Sequence, residues 1–386
     1  MKIRAVRTLL LSHVYPEEPK LAFSGGFIAS WDAAIVELET EDGLKGYGEV
    51  AQGIMAAAAV PGVVDALRQY LIGRTIDEPG ALADRLRDSS MFWARGGVAS
   101  GTIGAVEAAA WDAKGKREGK PAFQIMGGAV HNRLELYASG GLGTTAEEVV
   151  AWSKNQTDAG FKTVKFRALR NPSETAEMLR NVVPKLPAGV RFVIDAVQGC
   201  AASPWTVDDA IRVGRVAADL GARWFEEPCR SEDVAGYAAV RKSVGVPISG
   251  VESYSSPAYF DLLFGAHGVD IAQPDASMIG GPTELRRVVE KADARGLQVV
   301  PHVWGTGVTL MTNAHTAFAT ASMPLIEFCT IPNPLREALL AEPLRIEDGY
   351  LLPPTAPGLG VAVPAELELE HRFQLGGGHV IFQAVT

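Results

Sequence analysis

Trp224-Phe225-Glu226-Glu227-Pro228 is the stretch that decides the fold. A bulky apolar pair runs straight into two acids and a proline, as at the end of a buried strand. Upstream lies the helical pattern Val207–Leu220, and before it Arg191–Asp195, another β-rich run that ends in an acid. Downstream, Pro247–Glu252 ends the same way. Carried in both directions, the pattern gives strand candidates at Leu134–Ser139, Thr163–Arg167, Arg191–Asp195, Arg223–Glu226, Pro247–Glu252, Val269–Gln273, Gln298–Val303 and Leu325–Phe328. Helical patterns such as Thr145–Ala159, Ser173–Val183 and Pro282–Arg295 fall between them. Such alternation predicts an α/β fold with a parallel sheet and right-handed crossovers. Eight strands without a glycine-rich dinucleotide fingerprint predict a TIM-like barrel rather than an open sheet.

The flanks read differently. Arg4–Leu11, Ala33–Thr40 and Leu44–Val50 form an antiparallel meander, with a turn at Glu41-Asp42-Gly43. Helical patterns follow at Val64–Tyr70, Ala81–Asp88 and Gly101–Glu118. The last carries Ala105, Ala108, Ala109 and Ala113, a small-residue face suited to close packing. Gly127-Gly128 breaks the chain, and after about Ala341 the strand–helix alternation gives way to a Pro- and Gly-rich stretch. We therefore divide the chain into an N-terminal α+β region at 1–127, the barrel at 128–341, and a tail at 342–386 that returns to the N-terminal region.

The chain has 386 residues, 47% hydrophobic and 21% charged, with a net charge of −9. That length suits one barrel plus a smaller domain. The negative balance argues against nucleic acid and against anionic membranes. An anionic substrate then needs local cations or a metal. Cys200, Cys229 and Cys329 form no paired motif and read as free thiols. No apolar run approaches the roughly 18 residues of a membrane span, and no signal-like segment opens the chain, so a cytoplasmic protein is expected.

Barrel sites lie at the C-terminal ends of the strands. There the sequence places Asp195, Glu226 and Glu252 on consecutive strands, then Asp275, His302 and Glu327 on the next three. Lys165 and Arg167 share one face of the second strand. Any one of these acids alone reads as a loop carboxylate; the succession does not. Three converging carboxylates repel unless a cation sits among them, and an all-oxygen set favours Mg²⁺ over Zn²⁺. Glu227, next to Glu226, faces the other way. The remaining histidines, His379 among them, read as surface or packing residues, and Trp93, Trp111 and Trp205 as core.

With these residues in view, the chain resembles the mandelate racemase-like branch of the enolase superfamily over nearly its whole length. The likeness rests on Gly46-Tyr47-Gly48-Glu49, Ala109-Ala110-Trp111-Asp112-Ala113-Lys114-Gly115-Lys116, Lys165-Phe166-Arg167, Phe225-Glu226-Glu227-Pro228, Gln273-Pro274-Asp275 and Gly280-Gly281. It implies a (β/α)7β barrel closed by an α+β capping domain built from both chain ends. It also implies Mg²⁺ on Asp195, Glu226 and Glu252, an Asp275–His302 dyad, an acid at Glu327, a small carboxylate substrate and a homo-oligomer. The muconate-lactonising branch carries a lysine on the sixth strand, which Ala276-Ser277-Met278-Ile279 lacks. His302-Val303-Trp304-Gly305-Thr306-Gly307, Asn333-Pro334-Leu335-Arg336-Glu337-Ala338 and Pro357-Gly358-Leu359-Gly360 resemble aldarolactone cycloisomerases and sugar-acid dehydratases. Arg167 stands where the branch often has a second lysine, and Val197 where it often has an asparagine.

The chemistry expected is removal of the proton beside a carboxylate, giving an enediolate. His302 is the base, Asp275 orients it, Lys165 supplies positive charge, and a protonated Glu327 donates to the substrate carboxylate. Arginine stays protonated, so Arg167 is a poor second base. The expected outcome is β-elimination on a sugar acid, of the aldonate or aldarate dehydratase type. The alternatives are an aldarolactone cycloisomerase, a racemase or epimerase of a 2-hydroxy acid, and a catalytically silent barrel that only binds metal or acids. Two mobile loops, about Tyr15–Ser30 with a hinge at Ser24-Gly25-Gly26 and about Ala51–Pro61, are expected to set specificity.

Overall fold

The structure, a computed structural model, describes residues 1–16, 21–23 and 26–381. The expected meander forms from Ile3–Val14, Ser30–Thr40 and Lys45–Glu49, all antiparallel, with Val6 opposite Leu38 and Ile35 opposite Glu49. Gly43 turns the chain at φ 84°, a left-handed conformation that glycine adopts freely. Helices Val60–Leu71 and Gly97–Glu118 pack on this sheet, and Pro79–Ser90 packs on those two helices. The small-residue face of the long helix meets Gly46 and Gly48 on the strand Lys45–Glu49. A Cβ on either glycine would collide with the carbonyl oxygen of Ala109 or Ala105, so backbone packs on backbone here.

Leu134–Ser139, Thr163–Arg167, Arg191–Asp195, Phe225–Glu226, Ile248–Gly250, Ile271–Ala272 and Gln298–Val299 pair in parallel in chain order. The eighth strand, Leu325–Cys329, pairs with the first. This is a (β/α)7β barrel, and every strand lies within the sequence reading or at most one residue beyond it. Several of its helices start where side chains satisfy the free amides. Thr145 with Glu148, and Thr206 with Asp209, form capping boxes, and Asn171, Asp233 and Ser256 cap other helices.

Period-two alternation sorts the strand residues. Val164, Phe166, Phe192, Ile194 and Phe225 face the surrounding helices in the main core. Tyr137, Val193, Trp224, Ile271, Val300 and Leu325 fill the barrel interior, with Trp224 edge-on to Tyr137 at 5.3 Å. That plug closes the lower end and leaves the polar strand ends at the top.

Two readings change. The first expected loop contains a hairpin, Leu21–Phe23 with Gly26–Ile28, extended to three strands by His379–Ile381 from the tail. Of its expected hinge, Ser24 and Gly25 lie outside the described residues. The second expected loop is helical at Gly53–Ala56, passes through a tight turn at Ala57–Ala59, and enters helix Val60–Leu71. The alanine run there is strongly helix-forming. Trp93, expected in the core, is 44% exposed beside the fully exposed Phe92.

The tail first adds a small hairpin, Ile346–Glu347 with Tyr350–Leu351, to the outside of the first barrel strand. It then reaches the N-terminal sheet, where Ser12 N donates to His371 O at 2.9 Å. The three cysteines are free, and among the described residues no helix is long and apolar enough to cross a membrane.

Candidate active site

Asp275 caps the short helix Ala276–Ile279, which follows the sixth strand. One carboxylate oxygen accepts from Ser277 N at 2.8 Å and from Asn313 Nδ2 at 2.9 Å, and the other lies 3.0 Å from His302 Nδ1. His302 therefore turns Nε2 to the open side, where Glu252 Oε1 stands 3.6 Å away. Burial lowers the proton affinity of the ring. The facing Glu252 carboxylate and the hydrogen bond to Asp275 outweigh it and raise the imidazole to about 10.

The other expected residues gather beside this dyad. Register sets Arg167, Asp195 and Glu226 side by side on the second, third and fourth strands. The Lys165 ammonium has no exposed surface. It binds Glu226 Oε1, donates to Glu327 Oε1 at 2.9 Å and lies 3.3 Å from Asp195 Oδ2. Arg167 also binds Asp195. Trp224 Nε1, from the interior plug, donates to Glu226 at 3.0 Å.

Glu327, expected to donate once protonated, is paired here as an acceptor. Both of its oxygens accept, one from Lys165 and the other from Val303 N at 2.9 Å. Burial would protonate it, but Lys165 and His302 hold it well below the usual carboxylate range.

Asp195, Glu226 and Glu252 do not meet as a closed triad. Among the described residues no three acidic, histidine or cysteine side chains are gathered tightly enough to hold an ion. Asp195 and Glu226 converge on Lys165, while Glu252 leans toward His302 and keeps 28% of its side chain exposed. The donor chemistry nevertheless suits a hard divalent cation. Burial pushes Glu226 up to about 7, and neighbouring carboxylates add to the rise despite Lys165. Glu227 is also raised, by burial and by Glu252, Asp195 and Glu226. The cluster thus holds more anionic groups than its own cations offset, and its oxygens are on adjacent strand ends.

Two sequence landmarks turn out to bracket the domains rather than do chemistry. Glu49, from the N-terminal sheet, accepts from Thr306 N, Thr306 Oγ1 and Thr309 N at the start of helix Gly307–Phe318. That helix carries Asn313, the partner of Asp275. Asp112 accepts from Tyr47 N at 3.0 Å and from Leu359 N at 2.8 Å, tying cap, long helix and tail together.

A pocket opens over the site. Arg167, Asp195, Glu252 and His302 line its barrel side; Ile54, Met55, Leu142 and Met278 make much of its wall. Phe23, Ile28 and His379 come from the hairpin and tail. The sequence reading missed His379 and Trp304 as cavity residues. Trp304 follows His302 closely enough to have been suspected; His379 sits 75 residues farther on, with no local signal.

Residues 9–127 match the family described as mandelate racemase / muconate lactonizing enzyme, N-terminal domain, and residues 148–367 match the enolase C-terminal domain-like family. The D-galactarolactone cycloisomerase of Agrobacterium fabrum is 31% identical over 392 residues, covering 96% of this chain and 99% of that one. The arabinonate dehydratase of Saccharolobus solfataricus is 28% identical over 368 residues, covering 94% and 96%. A solved structure of a racemase from Streptomyces coelicolor A3(2) with bound magnesium superposes with a TM-score of 0.82 at 27% identity, covering 94% and 97%.

Proposed function

Because this chain belongs to the mandelate racemase / muconate lactonizing enzyme family of the enolase superfamily, and is an enzyme of its lyase and isomerase chemistry, we propose that it removes the proton beside a sugar-acid carboxylate with His302 and then expels a β-oxygen. The observation that carries this reading is the chain Asn313–Asp275–His302. It fixes one ring nitrogen and leaves Nε2 for the substrate.

Asp195, Glu226 and Glu252 would hold Mg²⁺, which stabilises the negative charge that builds on the substrate carboxylate during proton removal. Lys165, close to the same acids, adds fixed positive charge. Were the Glu252 carboxylate drawn into holding the cation, the imidazole would lose the charge that does most to keep it protonated; neutral His302 would then take the α-proton, and the electron pair forms a carbon–carbon double bond as the β carbon–oxygen bond breaks. The imidazolium can return its proton to the departing oxygen, and the enol product tautomerises to a 2-keto acid. Arg167 stays protonated and Lys165 carries no exposed surface, so neither favours a second base on the opposite face.

When the departing oxygen is a hydroxyl, the reaction is dehydration of an aldonate or aldarate. A second reading has a lactone ring oxygen as leaving group, making the enzyme a cycloisomerase. The wall of Ile54, Met55, Leu142 and Met278 favours it, since these offer nothing to a fully hydroxylated open chain.

The deciding experiment incubates aldonates, aldarates and their lactones with enzyme and Mg²⁺ in deuterated water. Elimination puts deuterium at C3 of a 2-keto product. Deuterium at C2 of an acid that keeps every hydroxyl would overturn the proposal in favour of racemisation.

A further inference from the structure

One ring in the pocket wall is fixed by the cap and the tail and in turn holds a charged side chain of the barrel. Trp304 lies on the connection between the seventh strand and helix Gly307–Phe318, partly exposed, and lines the pocket. Trp31, fully buried on strand Ser30–Thr40 of the N-terminal sheet, stacks on it with ring centres 5.6 Å apart and 27° between the planes. Trp304 Nε1 donates to His379 Nε2 of the tail at 3.2 Å. Two residues on, Thr306 donates to Glu49 of the N-terminal sheet through its amide at 3.1 Å and its hydroxyl at 2.6 Å. The indole therefore has little freedom to turn, although no strand or helix carries it.

What the ring holds is Arg167, whose guanidinium carbon lies 5.1 Å from the centre of the indole. Arg167 comes from the second barrel strand, binds Asp195, keeps 12% of its side chain exposed and lines the same pocket. A lysine could meet Asp195 as a point charge. Only a planar guanidinium can lie on an indole and still present its N–H groups as a fixed fork. The arginine at 167 and the tryptophan at 304 thus make physical sense as a pair. A long side chain left unstacked loses rotamer freedom when it binds a ligand, and that loss weakens affinity. Stacked on Trp304, the guanidinium is already in place.

We propose that Trp304 is a positioning residue: its indole, fixed by cap and tail, holds the Arg167 guanidinium at the pocket wall, ready to donate to an oxygen of the bound acid. This role rests on the acid-binding reading above, and it gives the arginine a task that a lysine of equal charge could not perform. Trp304 acts through Arg167, and without the indole face only Asp195 would place the guanidinium.

A double-mutant cycle tests this in the His302→Asn protein with Mg²⁺ present, by calorimetric titration with tartronate. That probe carries the carboxylate and α-hydroxyl common to the acids proposed above, and a second carboxylate. Trp304→Leu should weaken tartronate about tenfold, and Trp304→Phe, which keeps an aromatic face, should stay within about threefold of the parent. In an Arg167→Lys background the stack is already gone, so Trp304→Leu should cost less than about twofold. Trp304→Met, also without an aromatic face, takes its place should Trp304→Leu not fold. Equal losses in the arginine and lysine backgrounds would overturn the proposal, making Trp304 a direct contact or a packing residue. No loss in the arginine protein would overturn it too, leaving Arg167 placed by Asp195 alone. Failure of tartronate to bind the parent strikes instead at the metal-and-carboxylate reading.

Discussion

Asn313 Nδ2 donates to Asp275 Oδ1 at 2.9 Å, so the carboxylate that orients His302 is itself held by helix Gly307–Phe318. Asn313 Oδ1 also accepts from Ala276 N at 3.0 Å, which fixes the turn carrying Asp275. The start of the helix is gripped by Glu49 from the N-terminal sheet. Placement of the base therefore depends on a chain of contacts running back to the cap.

Asn313 should act as a positioning residue. Asn313→Leu leaves Asp275 without one of its donors and Ala276 N unpartnered. We expect kcat to fall by about tenfold to a hundredfold, with KM little changed and the pH profile of kcat displaced. The protein should lose about 1–3 kcal/mol of stability. Kinetics and urea denaturation of the variant check this; an unshifted pH profile with normal kcat would show that Asp275 needs no such support.

The metal assignment has its own test. Chelation should remove turnover, and added Mg²⁺ should restore it. Asp195→Asn and Glu252→Gln should each lower kcat/KM by at least about a hundredfold. Calorimetric titration with Mg²⁺ reports the site independently of turnover. Full activity in Glu252→Gln would remove that residue from the ligand set and leave Glu252 as a partner of His302 alone.

Much of this was legible in the sequence because it is written locally. The acid ending Phe192-Val193-Ile194-Asp195 marks a strand whose alternate residues face the barrel interior, and that parity alone aims Asp195 and Lys165 at the same region. The helical patterns Thr145–Ala159 and Val207–Leu220 are local in the same way. What stayed hidden depends on partners distant in the chain. Nothing near Leu21 or Phe27 reveals that His379–Ile381 will become a third strand, so the hairpin read as a loop and His379 as packing. The charge of Glu327 is likewise hidden locally, because it depends on Lys165, 162 residues away.

Close backbone packing in the cap gives a stability prediction. Gly48 faces Ala105 with no room for a Cβ, and the obstacle is backbone rather than a flexible side chain. Gly48→Ala should therefore destabilise by about 1–3 kcal/mol despite being a conservative change in volume. Gly62→Ala, in open space on helix Val60–Leu71, should be neutral or stabilising. Urea midpoints measured in parallel separate the two. Equal effects would mean that the strand and the long helix can part without cost.

His315 sets a limit on acid stability. It is fully buried in helix Gly307–Phe318, stacked 5.6 Å from Phe123, and its Nδ1 accepts from Phe123 N at 3.0 Å. A proton on Nδ1 would destroy that bond. Burial lowers the ring to about 3, opposed by the Leu359 backbone, whereas an unfolded histidine titrates near about 6.5. The unfolded chain thus binds the proton first as pH falls. The neutral ring's contribution is fully present above about 6.5 and is lost as pH drops toward about 3, at about 1.4 kcal/mol per pH unit. Between pH 8 and pH 5 this one side chain should account for about 2 kcal/mol of lost stability. His315→Asn keeps an acceptor for Phe123 N but cannot titrate. It should be less stable at pH 8, because the stacked ring is gone, yet fall less steeply on acidification. Urea denaturation of both proteins at the two pH values isolates the difference from every other titrating group. Parallel losses in the two proteins would show that His315 is protonated in the folded state far more easily than its burial implies.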